Sequence, residues 1–155
     1  MSNGKIKVGI VGLGRWARVL TRGSKQSDKI EIIQGFSRSA EKRDAFASEY
    51  GVPSASSLEE MLANPEIQGV ILTVPNEQHL PVATAVAKAG KHIYTEKPIA
   101  NTLENGIRLE ALQGEYGVQA MVGHSARLLR GARMMKEAID NGELGTLSFM
   151  ESNFS

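Results

Sequence analysis

The feature that most constrains the fold is a glycine-rich loop set between an apolar strand and a helix. Residues 5–20, KIKVGIVGLGRWARVL, read as a short apolar strand, the loop G-L-G-R-W-A and the start of a helix. Gly12 permits a tight turn, and Gly14 lets a ligand approach the backbone closely because it carries no side chain. Ala17 stands where a third glycine is common, and it is small enough for the helix to pack on the strand. The segment therefore predicts the first strand-to-helix crossover of an α/β domain.

The rest of the sequence continues this alternation of strands and helices. Six strands are predicted, at residues 5–11, 29–37, 52–55, 69–74, 91–96 and 118–123. Helices are predicted at residues 15–24, 39–51, 56–64, 79–89, 103–116 and 127–141. Ser39 is placed to cap one of these helices and Gly51 to end it. Because strands that alternate with helices indicate right-handed βαβ units, we expect a doubly wound parallel sheet with strand order 3-2-1-4-5-6.

The sequence predicts two domains with a boundary after residue 123. Residues 1–123 hold the six strands, whereas residues 124–155 hold an amphipathic helix and the stretch GTLSFMESNFS, in which residues 147–152 read as a further strand. Such a strand needs a partner, because an unpaired edge with apolar residues promotes aggregation. We therefore expect residues 124–155 to be the linker helix and first strand of a truncated second α/β domain. A frayed tail is the alternative.

Bulk composition excludes several classes of function. The net charge is +1 at pH 7, which argues against binding to nucleic acid or a membrane surface through bulk charge. The chain has no cysteine, so disulfides, thiolate metal sites and a cysteine nucleophile are ruled out. His79, His92 and His124 lack metal-ligand spacing, so no metal site is expected. Since no apolar run suits a signal peptide or a membrane span, we expect a cytoplasmic protein.

The glycine loop is suited to a dinucleotide cofactor. Its N–H groups and the N-terminus of the following helix favour a pyrophosphate. The predicted cofactor contacts in the loop are Gly12, Leu13, Gly14, Arg15 and Trp16. For Trp16 two interpretations stay open: packing that shields the loop, which we favour, and stacking on a base.

The tip of the second predicted strand bears on the choice of cofactor. An acidic residue about 20 residues after the loop would bind the ribose 2′-hydroxyl of NAD. Ser37 and Arg38 occupy this place instead. A guanidinium pairs with a 2′-phosphate, a serine hydroxyl donates to it, and Arg43 adds charge one turn into the next helix. The sequence therefore predicts NADP as the preferred cofactor and NAD as the alternative.

A longer stretch resembles a known family. Residues 69–104 contain a P-N-x-x-H turn, a helix ending in A-G-K-H and an E-K-P element, and residues 123–147 continue the likeness. Together these motifs resemble the glucose–fructose oxidoreductase / inositol dehydrogenase / MocA (Gfo/Idh/MocA) family over essentially the whole chain. The resemblance implies an NAD(P)-binding Rossmann fold, a C-terminal α/β domain and an NAD(P)-dependent dehydrogenase. Its substrate would be a sugar, a cyclitol or a related hydroxy compound.

The resemblance also assigns residues to the site. On the nicotinamide side of the cofactor it places Thr73, Val74, Pro75, Asn76 and His79, and in the E-K-P element it places Glu96, Lys97 and Pro98. From the residues alone, His79 is either a helix cap or a cofactor contact. His124 and Arg127 flank the tip of the sixth strand and are candidate substrate contacts, although Arg127 could instead anchor the helix.

Lys97 is the candidate catalytic residue. The E-K-P element follows a strand at the carboxyl edge of the sheet, where open α/β sheets bind ligands. A positive charge on Lys97 would stabilise a developing alkoxide and help to transfer its proton. Glu96 would orient Lys97 or bind the cofactor. Pro98 fixes the backbone, and a cis Lys97–Pro98 bond is expected because cis bonds occur mostly before proline.

Three functions therefore remain open for the sequence. The first is the cofactor domain of an oxidoreductase with a small-molecule substrate, forming a homo-oligomer through the C-terminal domain. The second is a non-catalytic dinucleotide-binding or sensing module, which would use the glycine loop without Lys97. The third is a redox-assisted lyase or glycosidase that keeps its nicotinamide bound.

Overall fold

A parallel sheet of five strands organises residues 4–123 in the computed structural model, which describes residues 4–151 of the chain. In chain order the strands are β1 (Ile6–Val11), β2 (Ile30–Phe36), β3 (Gly69–Leu72), β4 (His92–Thr95) and β5 (Ala120–Val122). Their order in the sheet is β2-β1-β3-β4-β5, and every neighbouring pair is parallel. Because β2 and β3 lie on opposite sides of β1, the winding reverses there and opens a crevice at the carboxyl ends of the strands. The doubly wound α/β fold is confirmed.

Six helices connect or follow these strands in the described part of the chain. They are α1 (Arg15–Lys25), α2 (Ala40–Tyr50), α3 (Leu58–Ala63), α4 (His79–Lys88), α5 (Leu103–Tyr116) and α6 (Arg130–Asp140), with short 3₁₀ turns at Asn76–Gln78 and Ser125–Leu128. The predicted ends of α2 are confirmed: the Ser39 side chain accepts a hydrogen bond from the backbone N–H of Lys42, and Gly51 ends the helix with a φ of +67°. Side-chain capping stabilises such a helix start because the first N–H groups have no partner within the helix.

The core lies on both faces of the sheet. Val70 and Leu72 of β3 belong to one buried cluster, together with Leu109 of α5. Ile71, between them, belongs to a second cluster with Phe46 of α2. Successive side chains of a strand point to opposite faces, so a strand with a fully apolar sequence is covered on both sides.

The six predicted strands become five, because the short extended piece predicted at residues 52–55 does not form a strand. Only Ser54 pairs there, through an isolated parallel bridge to Gly35 of β2. Gly35 donates to the carbonyl of Pro53 and accepts from the N–H of Ala55. Proline has no N–H to extend such a ladder, so the segment stays a bridge at the place expected for strand 3 in the predicted order.

The chain divides into two compact units, Met1–Gly123 and His124–Ser155. In the second unit the helix predicted at residues 127–141 is shorter, because Leu129 has an extended backbone that separates α6 from the preceding 3₁₀ turn. The strand predicted at residues 147–152 is not found in residues 147–151, and residue 152 lies outside the described range. A strand requires a partner for its backbone groups, and no ladder involves residues 147–151.

Candidate functional site

The glycine loop begins at the carboxyl end of β1 and is held by its neighbours. Gly12 has a φ of +91°, a conformation that residues with a side chain rarely adopt. Its N–H donates to the carbonyl of Phe36 at 2.9 Å. A Cβ added to Gly12 would lie 2.7 Å from the carbonyl oxygen of Thr73, so only glycine fits between these segments.

Gly14 differs from Gly12 because the space beside it is open. A Cβ added to Gly14 would meet no atom within 4 Å. Gly14 is also the N-cap residue of α1, and no side chain caps that helix. The N–H groups of the first turn are therefore left for another partner, and an anionic group is the partner that a helix N-terminus favours. The loop fits a pyrophosphate on these grounds.

Two clefts adjoin this loop. The glycine-loop cleft has a volume of about 540 Å³, and its lining includes Gly12, Gly14, Ser37, Arg38, Lys42 and Pro75. The lysine cleft has a volume of about 290 Å³, and its lining includes Trp16, Asn76, His79, Glu96 and Lys97. Thr73 and Val74 line both clefts, so the two clefts are adjacent.

Most of the residues predicted for the cofactor line one of these clefts. Leu13 does so although the residue is only 3% exposed and packs in the second core cluster. Trp16 is 43% exposed at the start of α1. Arg15 and Pro98 are exposed, but they are not among the residues that line the two clefts.

The loop between β2 and α2 brings positive charge to the glycine-loop cleft. Arg38 in this loop and Lys42 in the first turn of α2 are both exposed and line the cleft. Lys42 is not among the residues predicted from the sequence. Its position three residues after the Ser39 cap, in the first turn of the helix that follows Arg38, is the signal that indicates it. Arg43 has a different use, because its guanidinium donates to the carbonyls of Ser37 at 2.7 Å and Arg38 at 3.3 Å. Arg43 thus holds the loop that carries Arg38.

The E-K-P element follows β4 and borders the lysine cleft. Glu96 is 9% exposed, and its carboxylate accepts from the backbone N–H of Lys97 at 3.3 Å. The hydroxyl of Tyr94 lies 3.5 Å from the other carboxylate oxygen. Burial and then the nearby carboxylate raise the pKa of Tyr94, so this hydroxyl stays a neutral donor at pH 7. Lys97 itself is exposed, and the peptide bond to Pro98 is cis.

His79 is fully buried at the first position of α4. Its Nδ1 lies 3.2 Å from the carbonyl oxygen of Ile99, and its Nε2 lies 3.2 Å from that of Val74. The imidazole therefore sits between the loop after β3 and the loop after β4. A carbonyl oxygen only accepts, so an imidazole with one N–H donates to one of these two carbonyls.

The two candidate substrate contacts, His124 and Arg127, belong to the second unit. His124 precedes the 3₁₀ turn and Arg127 lies within it, and both side chains are exposed. Among residues 4–151, no group of three or more histidine, aspartate and glutamate side chains could hold a metal ion. No helix of that range is long and apolar enough to cross a membrane.

Comparison with known proteins points to one family. The model of the GFO_IDH_MocA oxidoreductase family, described by its NAD-binding Rossmann fold, matches residues 6–124. The 1,5-anhydro-D-fructose reductase of Ensifer adhaerens is 33% identical over 138 residues, which are 88% of this chain and 41% of that protein.

Solved structures agree with this family. A proposed NADPH-dependent oxidoreductase from Desulfitobacterium hafniense superposes with a TM-score of 0.89 and 39% identity, over 94% of this chain and 42% of that one. The WlbA dehydrogenase of Bordetella pertussis, solved with NADH and UDP-GlcNAcA, gives 0.88 and 31% over the same two shares. The chain thus spans about two fifths of the length of these relatives. Because the family model covers most of the sequence, the chain belongs to the Gfo/Idh/MocA family of oxidoreductases.

Proposed function

We propose that the chain is the cofactor-binding part of an NAD(P)-dependent oxidoreductase that acts on a hydroxyl or carbonyl group of a sugar, a cyclitol or a related small molecule. The observation that carries this proposal is the adjacency of the two clefts, which share Thr73 and Val74 in their linings. One cleft contains the glycine loop with its uncapped helix, and the other contains the exposed ammonium group of Lys97. A dinucleotide is a ligand long enough to use both.

Each part of the dinucleotide would contact a different set of residues. The pyrophosphate would lie on the backbone of Gly12 to Gly14 and the first turn of α1. The adenosine half would lie in the glycine-loop cleft, and the nicotinamide half in the lysine cleft beside Trp16 and Asn76. When bound, the nicotinamide would supply or accept the hydride.

NADP is the preferred cofactor in this proposal. The cations of Arg38 and Lys42 both line the cleft meant for the adenosine half, and the Ser37 side chain lies beside them. A 2′-phosphate would meet two positive charges and a hydroxyl there, whereas the 2′-hydroxyl of NAD would leave those cations without an anion. The solved relative from Desulfitobacterium hafniense is itself described as NADPH-dependent.

Lys97 would be the catalytic residue of the chain. Its exposed ammonium group would hold a proton at Nζ next to the reacting oxygen of the substrate, give it up as a carbonyl becomes a hydroxyl, and take it back in the reverse reaction. Glu96 would act as a positioning residue, because its buried carboxylate holds the backbone N–H of Lys97.

The substrate and its remaining contacts belong to this proposal as well. The names of two relatives, a 1,5-anhydro-D-fructose reductase and a dehydrogenase solved with UDP-GlcNAcA, favour a sugar or a sugar derivative. We place residues 124–155 in a substrate domain, with His124 and Arg127 as candidate substrate contacts. Assembly into a homo-oligomer through that domain and a cytoplasmic location stay predictions.

A nucleotide titration tests the cofactor part of the proposal. Trp16 is the one tryptophan of the sequence, and it lines the lysine cleft. NADPH added to the chain should therefore quench the fluorescence of Trp16, with energy transfer to the reduced nicotinamide. Absence of any binding of NADPH or NADH to the folded chain would contradict the proposal. Consumption of a substrate with no net change in nicotinamide absorbance would favour the lyase alternative, and nucleotide binding with no turnover in the whole protein would favour the sensing module.

Substitution of Arg38 tests the preference for NADP. Arg38→Asp removes a cation from the 2′-phosphate position and adds a repelling charge. We expect the affinity for NADPH to fall about 10- to 100-fold, the range for losing charge-assisted hydrogen bonds, while the affinity for NADH does not fall. Arg108→Asp makes the same change of charge on the exposed face of α5 and is the matched control. An unchanged ratio of the two affinities in Arg38→Asp would refute the role of Arg38.

A further inference from the structure

Three successive backbone carbonyls between β2 and α2 accept hydrogen bonds from one residue, Arg43. Its guanidinium nitrogen Nη1 donates to the carbonyl of Ser37 at 2.7 Å and to that of Arg38 at 3.3 Å. The backbone N–H of Arg43 donates to the carbonyl of Ser39 at 3.2 Å. The two side-chain bonds can form at the same time, because this terminal nitrogen carries two hydrogens. Arg43 therefore contacts every residue of the connection between the two elements.

Arg43 is itself attached to the sheet. Its carbonyl accepts from the hydroxyl of Ser54 at 3.1 Å, and Ser54 forms the parallel bridge to Gly35 of β2. The Arg43 residue is partly buried, and a charged donor makes a stronger hydrogen bond to a carbonyl than a neutral donor does. Hydrogen bonds and backbone thus run from β2 through Ser54 and Arg43 to residues 37–39.

The residues whose carbonyls Arg43 binds present their side chains to the proposed cofactor site. Ser37 and Arg38 line the glycine-loop cleft, whereas Arg43 is not among the residues that line it. The guanidinium of Arg43 therefore contacts the backbone of the connection, and the guanidinium of Arg38 is the one next to the cleft. This arrangement differs from the one expected of two arginines that both bind the same phosphate.

We infer that Arg43 is a positioning residue for the choice of cofactor: by fixing the backbone of residues 37–39, it sets the place of the Ser37 and Arg38 side chains at the 2′-phosphate of NADP. A guanidinium binds a phosphate through directed, charge-assisted hydrogen bonds, so its alignment matters. The inference rests on the proposed function for the identity of the ligand. The hydrogen bonds of Arg43 to the three carbonyls depend on no ligand.

Two simpler roles of Arg43 give different expectations. If it only stabilised the fold, its loss would weaken NADPH and NADH binding equally. If its charge attracted the 2′-phosphate directly, its loss would weaken NADPH binding whether or not Arg38 is present. A positioning residue acts on NADPH selectively, and it acts mostly through Arg38.

The hydrogen bonds are tested first without nucleotide, by NMR relaxation of the backbone amides. Arg43→Met keeps an unbranched stem and loses the guanidinium. The order parameters of residues 37–39 should fall from about 0.85, the value of rigid backbone, toward about 0.6, while those of β1 stay unchanged. Arg108→Met is the matched control, because Arg108 pairs with Glu115 on the exposed side of α5. Unchanged order parameters in residues 37–39, or an equal fall over the whole first unit, would overturn the inference.

Binding then tests the effect on cofactor choice. The probes are NADPH and NADH, which differ only in the 2′-phosphate. We expect Arg43→Met to lose about tenfold in NADPH affinity, a loss on the scale of one charge-assisted hydrogen bond, and to bind NADH within about twofold of wild type. Arg108→Met should bind both nucleotides as wild type does. An equal loss for both nucleotides, or no loss for NADPH, contradicts the positioning role.

A double-mutant cycle with Arg38→Met separates positioning from direct charge. If Arg43 acts through Arg38, then Arg43→Met should cost much less NADPH affinity in the Arg38→Met chain than in wild type. The same tenfold loss in both backgrounds would assign a direct charge effect to Arg43 and overturn the inference. If the wild-type chain binds neither nucleotide, the proposed function fails and the role in cofactor choice fails with it. The order parameters still decide whether Arg43 holds residues 37–39.

Discussion

Lys91 is a buried cation whose role depends on backbone carbonyls. Its side-chain ammonium donates to the carbonyl of Asn64 at 2.9 Å and to that of Ile67 at 2.7 Å, and the residue is 7% exposed. Burial lowers the pKa of Lys91 below its usual value of 10.5, because the charged form loses its hydration. Both carbonyls stay bonded after deprotonation, since a neutral amine still donates.

This lowered pKa predicts a pH dependence of stability. Between the lowered pKa and 10.5, the unfolded chain binds more protons at Lys91 than the folded chain does, so the contribution of Lys91 to the free energy of unfolding rises with pH. Lys91→Met lacks this contribution. We expect the free energy of unfolding of wild type relative to Lys91→Met to increase as the pH is raised through that window, measured by urea unfolding. A difference that stays constant with pH would contradict the prediction.

The burial of Lys91 could not be predicted from the sequence. A-G-K-H marks the end of a helix and the start of a strand, and lysine is almost always exposed at such a place. The place of His79 could not be predicted either. The sequence suggested a cap or a cofactor contact, whereas its position between the carbonyls of Val74 and Ile99 depends on two loops that only the folded sheet brings together. Gly12 and Gly14 differ, because a strand–loop–helix pattern of their kind predicts its own geometry.

At the scale of elements, the helices of the first unit were the most predictable part. The predicted helix at residues 103–116 has the same bounds as α5, which Thr102 caps at its start and Gly117 ends. The strands were predictable where apolar runs are covered on both faces, as in β3. The segment at residues 52–55 could not be placed in the same way, since pairing depends on the partner strand as well as on local sequence.

Gly123, the residue after β5, packs tightly against Tyr94 of β4 and against Glu96, which follows β4. A Cβ added to Gly123 would clash with the hydroxyl oxygen of Tyr94 and would lie 2.9 Å from a carboxylate oxygen of Glu96. Gly123→Ala must therefore displace both side chains. We expect it to lower the free energy of unfolding by about 1–3 kcal/mol, the usual cost of overpacking, as measured by urea unfolding.

A double-mutant cycle checks the cause of that loss. Tyr94→Phe removes the atom nearest to the new methyl group, so the cost of Gly123→Ala should be smaller in the Tyr94→Phe background. Gly114→Ala in α5 is the control, because a Cβ there meets nothing within 4 Å and alanine favours a helix. Strict additivity of the two changes would show that Tyr94 is not the source of the strain.

At the scale of the whole molecule, the core and the two clefts draw on the same part of the chain. Both buried clusters consist of residues from the first unit, and so do the residues that line the glycine-loop and lysine clefts. In residues 124–151, large apolar side chains such as Leu128, Phe149 and Met150 are instead exposed. Hydrophobic burial is the main favourable term in folding, so the stability of the first unit should come from its own residues.

A chain that ends at Gly123 tests this expectation. It keeps every residue of the two clusters and both clefts, so it should unfold cooperatively with a urea midpoint near that of the 155-residue chain. Its affinity for NADPH should also be the same to within about twofold, because a twofold change is only about 0.4 kcal/mol. Loss of folding would show that the core depends on residues 124–155. Retained folding with weaker NADPH binding would place part of the cofactor site in that segment, and would make His124 and Arg127 the first residues to substitute.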